Sequence, residues 1–465
     1  MAIKINEKIF KTYDIRGIAG KDLDFDIAKL VGKGFGTYLL QRGVKDVIVG
    51  HDNRVSSPEY HQALVEGLTG VGCDVKDLGY SLSSMVYFAR KHFDIDGAVM
   101  ITASHNPPQY NGFKLCHGLN AIVEEEIQIL KGIIIKGEFP KGNGKVEKVE
   151  IESAYFKAIM DRVKLKRSYK IAVDCGNATP GLFVPSLLEK MGCEVIPVFC
   201  DLDSTFPNHL PDPVAIEYYG TLKKVVKENK ADLGMMLDGD GDRIGFIDEK
   251  GRVLFGDIIL TILIRDIVPD NPGRKVIIEL KDTEFAFEEA KRLGGEPLFW
   301  KTGHALLDLK VHEEDAVLCG EMSCHYWVCD DYYQFDDAIY AMARVLKVLD
   351  KTGKTLGQLV DELPDLYNTP EYRVSVKCDD IKGFALRLRD DLRDKCDKTI
   401  EIDGIRGYKG DGWFLIRSSN TQPVISVRAE SRSKKGLKDL KNFLSSEFAR
   451  YTELDFSWDR QYDVV

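Results

Sequence analysis

Three stretches of this 465-residue chain share one pattern: a short apolar run that stops at a polar loop and then gives way to helical spacing. Val47-Ile48-Val49-Gly50 runs into His51-Asp52-Asn53-Arg54. Ile171-Ala172-Val173 runs into Asp174-Cys175-Gly176-Asn177, and Val276-Ile277-Ile278 into Glu279-Leu280-Lys281-Asp282. After the first run, Tyr60, Leu64 and Leu68 recur at the period of a helix with one apolar face. A strand that feeds a helix is the unit of a mostly parallel sheet covered by helices. The runs begin at residues 47, 171 and 276, too far apart for a short-period solenoid. The pattern predicts three related α/β domains.

Two breaks divide the chain. The segment 136–145 is rich in Gly, Pro and Lys and reads as a linker, and 363–370 contains Pro364 and Pro370. Beyond the second break the strand–helix alternation stops. There, 413–416 and 424–427 flank a polar loop, as in a hairpin of a smaller α+β domain. A weaker boundary falls near Phe255. The expected domains are therefore α/β at 1–150, 151–254 and 255–366, and α+β at 367–465.

Net charge is −10, which gives no global attraction to nucleic acid or to an anionic membrane, although one basic pocket suffices for a phosphorylated ligand. No stretch approaches the ~18 apolar residues of a membrane span. Residues 1–17 lack the apolar core of a secretory signal. The ten cysteines are scattered, unlike a disulfide framework, and the spacing of Cys319, Cys324 and Cys329 is not a usual zinc pattern. These features predict a cytoplasmic protein with reduced thiols.

The chemistry lies in the loops. Ser104 sits in Thr102-Ala103-Ser104-His105-Asn106-Pro107, directly after the apolar run Gly97-Ala98-Val99-Met100-Ile101. A hydroxyl at the tip of a strand-end loop can carry a covalent group, provided bases and cations assist it. His105, Lys114, Arg16 and His325 are candidate helpers. The run Asp238-Gly239-Asp240-Gly241-Asp242-Arg243 supplies three carboxylates that share one side of an extended chain, with glycines for the bends. Such a trio suits a hard cation, Mg²⁺ above all. A calcium EF-hand is excluded because Arg243 stands where its glycine is required and the flanks read as strands. The loop Arg417-Ser418-Ser419-Asn420-Thr421 offers a guanidinium fork, hydroxyls and backbone N–H groups for a phosphate. Glu321 and Ser323, in Gly320-Glu321-Met322-Ser323-Cys324-His325, can hydrogen-bond vicinal sugar hydroxyls. The spaced glycines at Gly32, Gly34 and Gly36 do not fit a dinucleotide fingerprint, and no Gly-Lys-Ser/Thr phosphate loop occurs.

Taken in order, these loops resemble the α-D-phosphohexomutase superfamily, and most of all its phosphomannomutase/phosphoglucomutase branch. The resemblance rests on Tyr13-Asp14-Ile15-Arg16-Gly17, 102–107 with Asn111-Gly112-Phe113-Lys114, 238–243, 320–325 and 417–421, and it covers essentially the whole chain. It implies three α/β domains with mixed sheets plus a C-terminal α+β domain around a central cleft. It implies a mutase that interconverts the 1- and 6-phosphates of mannose or glucose through a phosphoserine and a bisphosphorylated sugar. The implied cofactors are one Mg²⁺ per chain and a hexose 1,6-bisphosphate activator. By the same resemblance Ser104 is phosphorylated and joins Asp238, Asp240 and Asp242 around the metal. Arg16, Lys114 and His325 assist proton transfer. Tyr13, Arg243, Lys281, Gly303 and His304 contact substrate, Glu321 and Ser323 recognise the sugar, and Arg417, Ser419, Asn420 and Thr421 grip the other phosphate. Two positions depart from the branch: Cys324 stands where glycine is usual, and Ala305 replaces a serine. Met322 favours the mannose/glucose branch over the glucosamine branch. A phosphoglucosamine mutase, a metal-dependent sugar phosphatase and a non-catalytic sugar-phosphate-binding protein are the alternatives.

Overall fold

The computed structural model describes residues 5–118, 120–419 and 424–458. They form four sheets flanked by helices. The first three sheets share one four-strand core, and the three apolar runs occupy equivalent places in it. The first strand in chain order is Asp46–His51, Lys170–Asp174 or Lys275–Glu279. It lies parallel to the second strand (Asp74–Tyr80, Glu194–Val198, Glu296–Trp300) on one side. On its other side lies the third, also parallel (Gly97–Ile101, Leu233–Leu237, Leu318–Gly320). The fourth strand (Tyr110–His117, Ile244–Asp248, Tyr326–Val328) returns antiparallel to the third. The sheets are mixed for this reason. Every residue of the three third strands is buried, which is why each reads as an unbroken apolar run.

This topology positions the site. The link between third and fourth strands leaves the carboxyl end of a parallel strand, where α/β sheets bind ligands. The three links are 102–109, 238–243 and 321–325. Each is one of the loops singled out from sequence.

The first sheet extends to Ile15–Ile18 at one edge and Val146–Lys148 at the other. The helices Phe25–Leu40 and Ser57–Val71 cover it and cross closely. A Cβ on Gly32 would fall against the Leu64 carbonyl, and one on Gly67 against the Lys29 carbonyl. Gly32 and Gly67 thus serve backbone approach between the helices, while Gly34 and Gly36 make room for the Ile134 and Val71 side chains. One continuous apolar cluster runs through all three α/β sheets, from Ile48 and Met100 through Val173 and Leu237 to Ile278 and Leu318.

The fourth sheet is antiparallel throughout. The hairpin expected around 413–427 is Gly412–Ser418 paired with Val424–Ser431. Helices Ile381–Arg393 and Lys434–Phe448 bury one face around Phe414, Ile416 and Val427. Trp413 and Leu415, on the opposite face, join the central cluster. The proline-bearing 363–370 is not only a connection, because Tyr367–Asn368 pairs with Ser431 and Glu430. Among the described residues, no helix is long and apolar enough to cross a membrane.

Candidate active site

Ser104 lies at the tip of its loop with φ 50°, in the left-handed region that costs a non-glycine residue about 1 kcal/mol. The loop is held from below by Arg54, a fully buried residue at the end of the first strand's polar run. Its Nη2 donates to the carbonyls of Ser104 and Asn106, each at 2.7 Å. Nη1 donates to those of Pro107 and Tyr110 at 2.8 and 3.0 Å. Its Nε donates to Asp52 Oδ2 at 3.1 Å. Sequence reading passed over Arg54, although its place after a buried strand was the available signal.

Held this way, the Ser104 hydroxyl donates to Asp238 Oδ2 at 2.5 Å, across 134 residues of chain. A Cβ on Gly239 would strike the Ser104 carbonyl, so the two loops can meet only with glycine there. Asp238 Oδ1 accepts the backbone N–H groups of Asp242 and Arg243 at 3.1 and 3.2 Å, which fixes the metal-loop bend. Asp240 Oδ2 accepts from Lys114 Nζ and from Ser83 Oγ, each at 2.7 Å. Lys114 also pairs with Asp242.

The trio fits a divalent cation. Asp238, Asp240 and Asp242 are buried, with ligand oxygens within 4.8 Å of one another. Lys114 supplies one positive charge against three carboxylates, and Asp240 Oδ1 and Asp242 Oδ1 have no hydrogen-bond partner among the described residues. Burial, then Asp242 and Asp240, pushes the Asp238 carboxyl far above the ordinary carboxylate range. Burial opposes the charge on Lys114, but Asp240 and Asp242 more than offset it and hold the ammonium protonated. Hard oxygen donors with excess negative charge are what Mg²⁺ requires.

His105 is half-buried, with Nδ1 3.1 Å from Ser104 Oγ. Burial, Arg243 and Arg16 push it well below its ordinary value, so it is neutral. Arg16 pairs with Asp14 at 2.6 Å and donates to Asn106 Oδ1 at 2.6 Å, in the same loop as Ser104. Burial, then Asp14, raises the Tyr13 hydroxyl above its ordinary value.

The third loop joins the second directly: Ile244 N–H donates to the Cys324 carbonyl at 3.1 Å. Cys324 has φ 72°, the left-handed conformation that glycine takes freely, which accounts for the glycine usual in the resembled branch. Glu321 accepts from Gly303 N–H at 3.2 Å and from Ser323 Oγ at 2.7 Å. His325 Nε2 accepts from Arg243 Nε at 2.9 Å, while its Nδ1 faces Asp336 Oδ2 at 2.9 Å and Asp242 at 3.9 Å. The same Asp336 oxygen lies 2.9 Å from His304 Nε2. Burial opposes protonation of His304, but Asp336 outweighs it and raises this imidazole to about 9. Asp336 is a second residue that sequence reading missed, since an acid beside other acids gives no local signal.

Lys281 is buried between Glu279 at 3.2 Å and Glu371 of the fourth sheet's domain at 3.3 Å. Arg417 donates from Nε to Asp403 Oδ2 at 2.8 Å, and its Nη2 is buried without a partner among the described residues. Asp403 also accepts from Thr302 N–H at 3.2 Å, which ties the fourth sheet to the third. Ser419 lies at the end of the hairpin, its N–H donated to Val424 O at 2.9 Å. Asn420 and Thr421 lie outside the described residues. Ser104, Arg16, His105, Lys114, the three aspartates, Arg243, His304, Glu321, Ser323 and His325 therefore form one linked network.

Comparison with known proteins agrees with this arrangement. The chain matches phosphoglucomutase/phosphomannomutase alpha/beta/alpha domain I over residues 7–140, domain II over 153–251, domain III over 255–367, and the C-terminal domain over 339–446. A phosphomannomutase/phosphoglucomutase of Pseudomonas putida is 38% identical over 444 residues, 96% of each chain. A phosphoglucomutase of Neisseria gonorrhoeae is 36% identical, covering 94% of this chain and 96% of its own. A crystal structure of a phosphoglucomutase/phosphomannomutase family protein from Burkholderia thailandensis superposes with a TM-score of 0.91 at 36% identity. It covers 97% of this chain and 100% of its own. With relatives this similar along nearly its whole length, the chain belongs to the phosphoglucomutase/phosphomannomutase family.

Proposed function

We propose that this chain is a hexose-phosphate mutase that moves a phosphoryl group between the 1- and 6-positions of glucose or mannose phosphate, with Ser104 as the carrier. One observation carries the reading: a loop-tip hydroxyl bonds a buried carboxylate trio contributed by a different sheet. The names of the relatives support both sugars. Each sheet contributes one loop, and we take the corresponding domains as 1–150, 151–254, 255–366 and 367–465.

In the forward half, a sugar hydroxyl oxygen attacks the phosphorus on phosphorylated Ser104. The Oγ–P bond breaks as the new O–P bond forms, the hydroxyl proton passes to His325 once Arg243 Nε has left its Nε2, and Ser104 Oγ takes up a proton through His105, whose Nδ1 lies 3.1 Å from it. The result is a bisphosphorylated sugar and a free Ser104. The sugar then turns over, and its other phosphoryl group returns to Oγ by the reverse steps. Asp238, Asp240, Asp242 and the Ser104 oxygen would hold one Mg²⁺, which when bound offsets negative charge on the phosphoryl group. Lys114 and Arg16 keep positive charge beside the reacting oxygens, and neutral His105 orients the serine hydroxyl. Glu321 and Ser323 bind sugar hydroxyls, and Tyr13, Gly303 and His304 line the same part of the cleft. Lys281, Arg417 and Ser419, with Asn420 and Thr421, hold the phosphate that stays in place. Catalysis here is positioning and charge neutralisation. Phosphosugar chemistry and ten free thiols fit a cytoplasmic setting.

Incubation with glucose 1-phosphate, Mg²⁺ and a trace of glucose 1,6-bisphosphate should build up glucose 6-phosphate with no inorganic phosphate. Phosphate release without isomer would instead identify a phosphatase. Ser104→Ala should abolish both turnover and labelling by the bisphosphate, and retained turnover would sink the carrier role. Relative rates on mannose, glucose and glucosamine phosphates decide the sugar.

A further inference from the structure

Away from the cleft, two thiols of the second sheet touch. Cys175 follows Lys170–Asp174 and Cys200 follows Glu194–Val198, parallel neighbours in which Asp174 stands opposite Val198. Their sulfurs are 3.5 Å apart. Cys175 is buried, whereas Cys200 is half-buried and open to a small oxidant. Backbone hydrogen bonds hold the two segments together. Cys175 N–H donates to Val198 O at 3.2 Å, and Asn177 N–H to Phe199 O at 2.7 Å. Asn177 and Phe199 both adopt left-handed backbone, at φ 59° and 48°. A Cβ on Gly181 would strike the Cys200 carbonyl.

The turn that follows Cys175 is a joint between sheets. Asn53 Nδ2 donates to the Asn177 carbonyl at 2.9 Å, and Asn53 N–H to Thr179 Oγ1 at 2.9 Å. Asn53 immediately precedes Arg54, whose guanidinium holds the Ser104 loop. A covalent change at Cys175 is therefore three short steps from the reacting hydroxyl.

We propose that Cys175 and Cys200 form a reversible disulfide under peroxide, and that this bond shifts the 175–177 turn, loosens the Asn53 joint and slows the enzyme. The sulfurs need to close by roughly 1.5 Å to reach the disulfide length of about 2.05 Å. Contact with Cys175 draws the Cys200 thiol below its ordinary value, which favours it as the attacking sulfur. The Cys200 thiolate attacks one peroxide oxygen, the O–O bond breaks, and hydroxide leaves and takes a proton as water. The Cys175 sulfur then attacks the resulting sulfenic sulfur, expelling a second hydroxide that takes up the thiol proton. Two thiols lose two protons and two electrons, and one hydrogen peroxide becomes two waters.

The test uses the full chain, treated with hydrogen peroxide, blocked with iodoacetamide and mapped by mass spectrometry. Mutase activity is assayed before and after dithiothreitol. A Cys175–Cys200 cross-linked peptide and a loss of two hydrogens per chain are expected. Activity should fall roughly fivefold, the size of an ordinary coupling between sites, and return on reduction. Cys200→Ser and Cys200→Ala should keep basal activity and resist peroxide, with unchanged thermal midpoints showing that both fold. The proposal is overturned if both thiols stay alkylatable, if Cys200 goes to sulfinic acid without a cross-link, or if the cross-linked enzyme turns over at the reduced rate. The cross-link is read by mass, so failure of the mutase reading would leave that result standing.

Discussion

Replacing Arg54 separates the support of the Ser104 loop from its chemistry. The guanidinium donates to three loop carbonyls, to that of Tyr110 at the start of the next strand and to Asp52, from a fully buried position. Arg54→Ala strands the Asp52 carboxylate and leaves the carbonyls unpaired. Removing one partner of a buried pair costs about 3–5 kcal/mol. For a unit of about 150 residues that lowers the thermal midpoint by roughly 6–20 °C. Arg54→Lys keeps the charge, but a compact ammonium with three donors cannot reproduce the fork. It should therefore cost less stability yet still misplace Ser104, and a displacement of about 1 Å in a reacting group lowers turnover on the order of 100-fold. Scanning calorimetry and the glucose 1-phosphate assay on both variants give the two numbers. Asp52→Asn added to Arg54→Ala should recover part of the midpoint and none of the activity. Wild-type turnover in Arg54→Lys would refute the claim that this clamp sets the position of the hydroxyl.

Three further outcomes follow from the site. Asp240→Asn should lower turnover by several orders of magnitude with the fold intact, and chelation of wild-type enzyme should do the same until Mg²⁺ is restored; full activity in excess chelator would contradict the metal assignment. Asp403→Ala frees Arg417 and breaks the tie to Thr302, so KM for the phosphosugar should rise about tenfold, the effect of one charge-assisted bond, with kcat changed far less. Asp308, buried on the helix His304–Glu313, accepts from Trp327 Nε1 at 2.7 Å; burial, then Asp336, raises its carboxyl to about 7, so it stays protonated in the folded chain at pH values where the unfolded chain has lost that proton. Its contribution is fully present below pH of about 4 and is lost as pH rises toward 7. Asp308→Asn, which keeps an acceptor for Trp327, should raise stability at pH 8 by roughly 1–4 kcal/mol, and an unchanged midpoint there would count against a buried neutral acid.

The sequence alone carried the strands, the loops at their ends and the chemical type of each loop. These are local properties: an unbroken apolar run marks a strand buried on both faces, and a polar loop after it marks a carboxyl edge. Ser104, the aspartate trio and the 321–325 loop were legible for that reason, as was the threefold recurrence at 47, 171 and 276. Other features rest on contacts that no spacing encodes. Arg54 under Ser104, Asp336 between two histidines, Ile244 bonded to Cys324 and the thiol pair at 175 and 200 all join separate strands. Arginines, aspartates and cysteines occur in many unremarkable places, and their roles emerge only where burial removes water and forces each polar group to find a partner. Tertiary packing therefore decided which charges became the site, because a buried charge without a partner is too costly to keep.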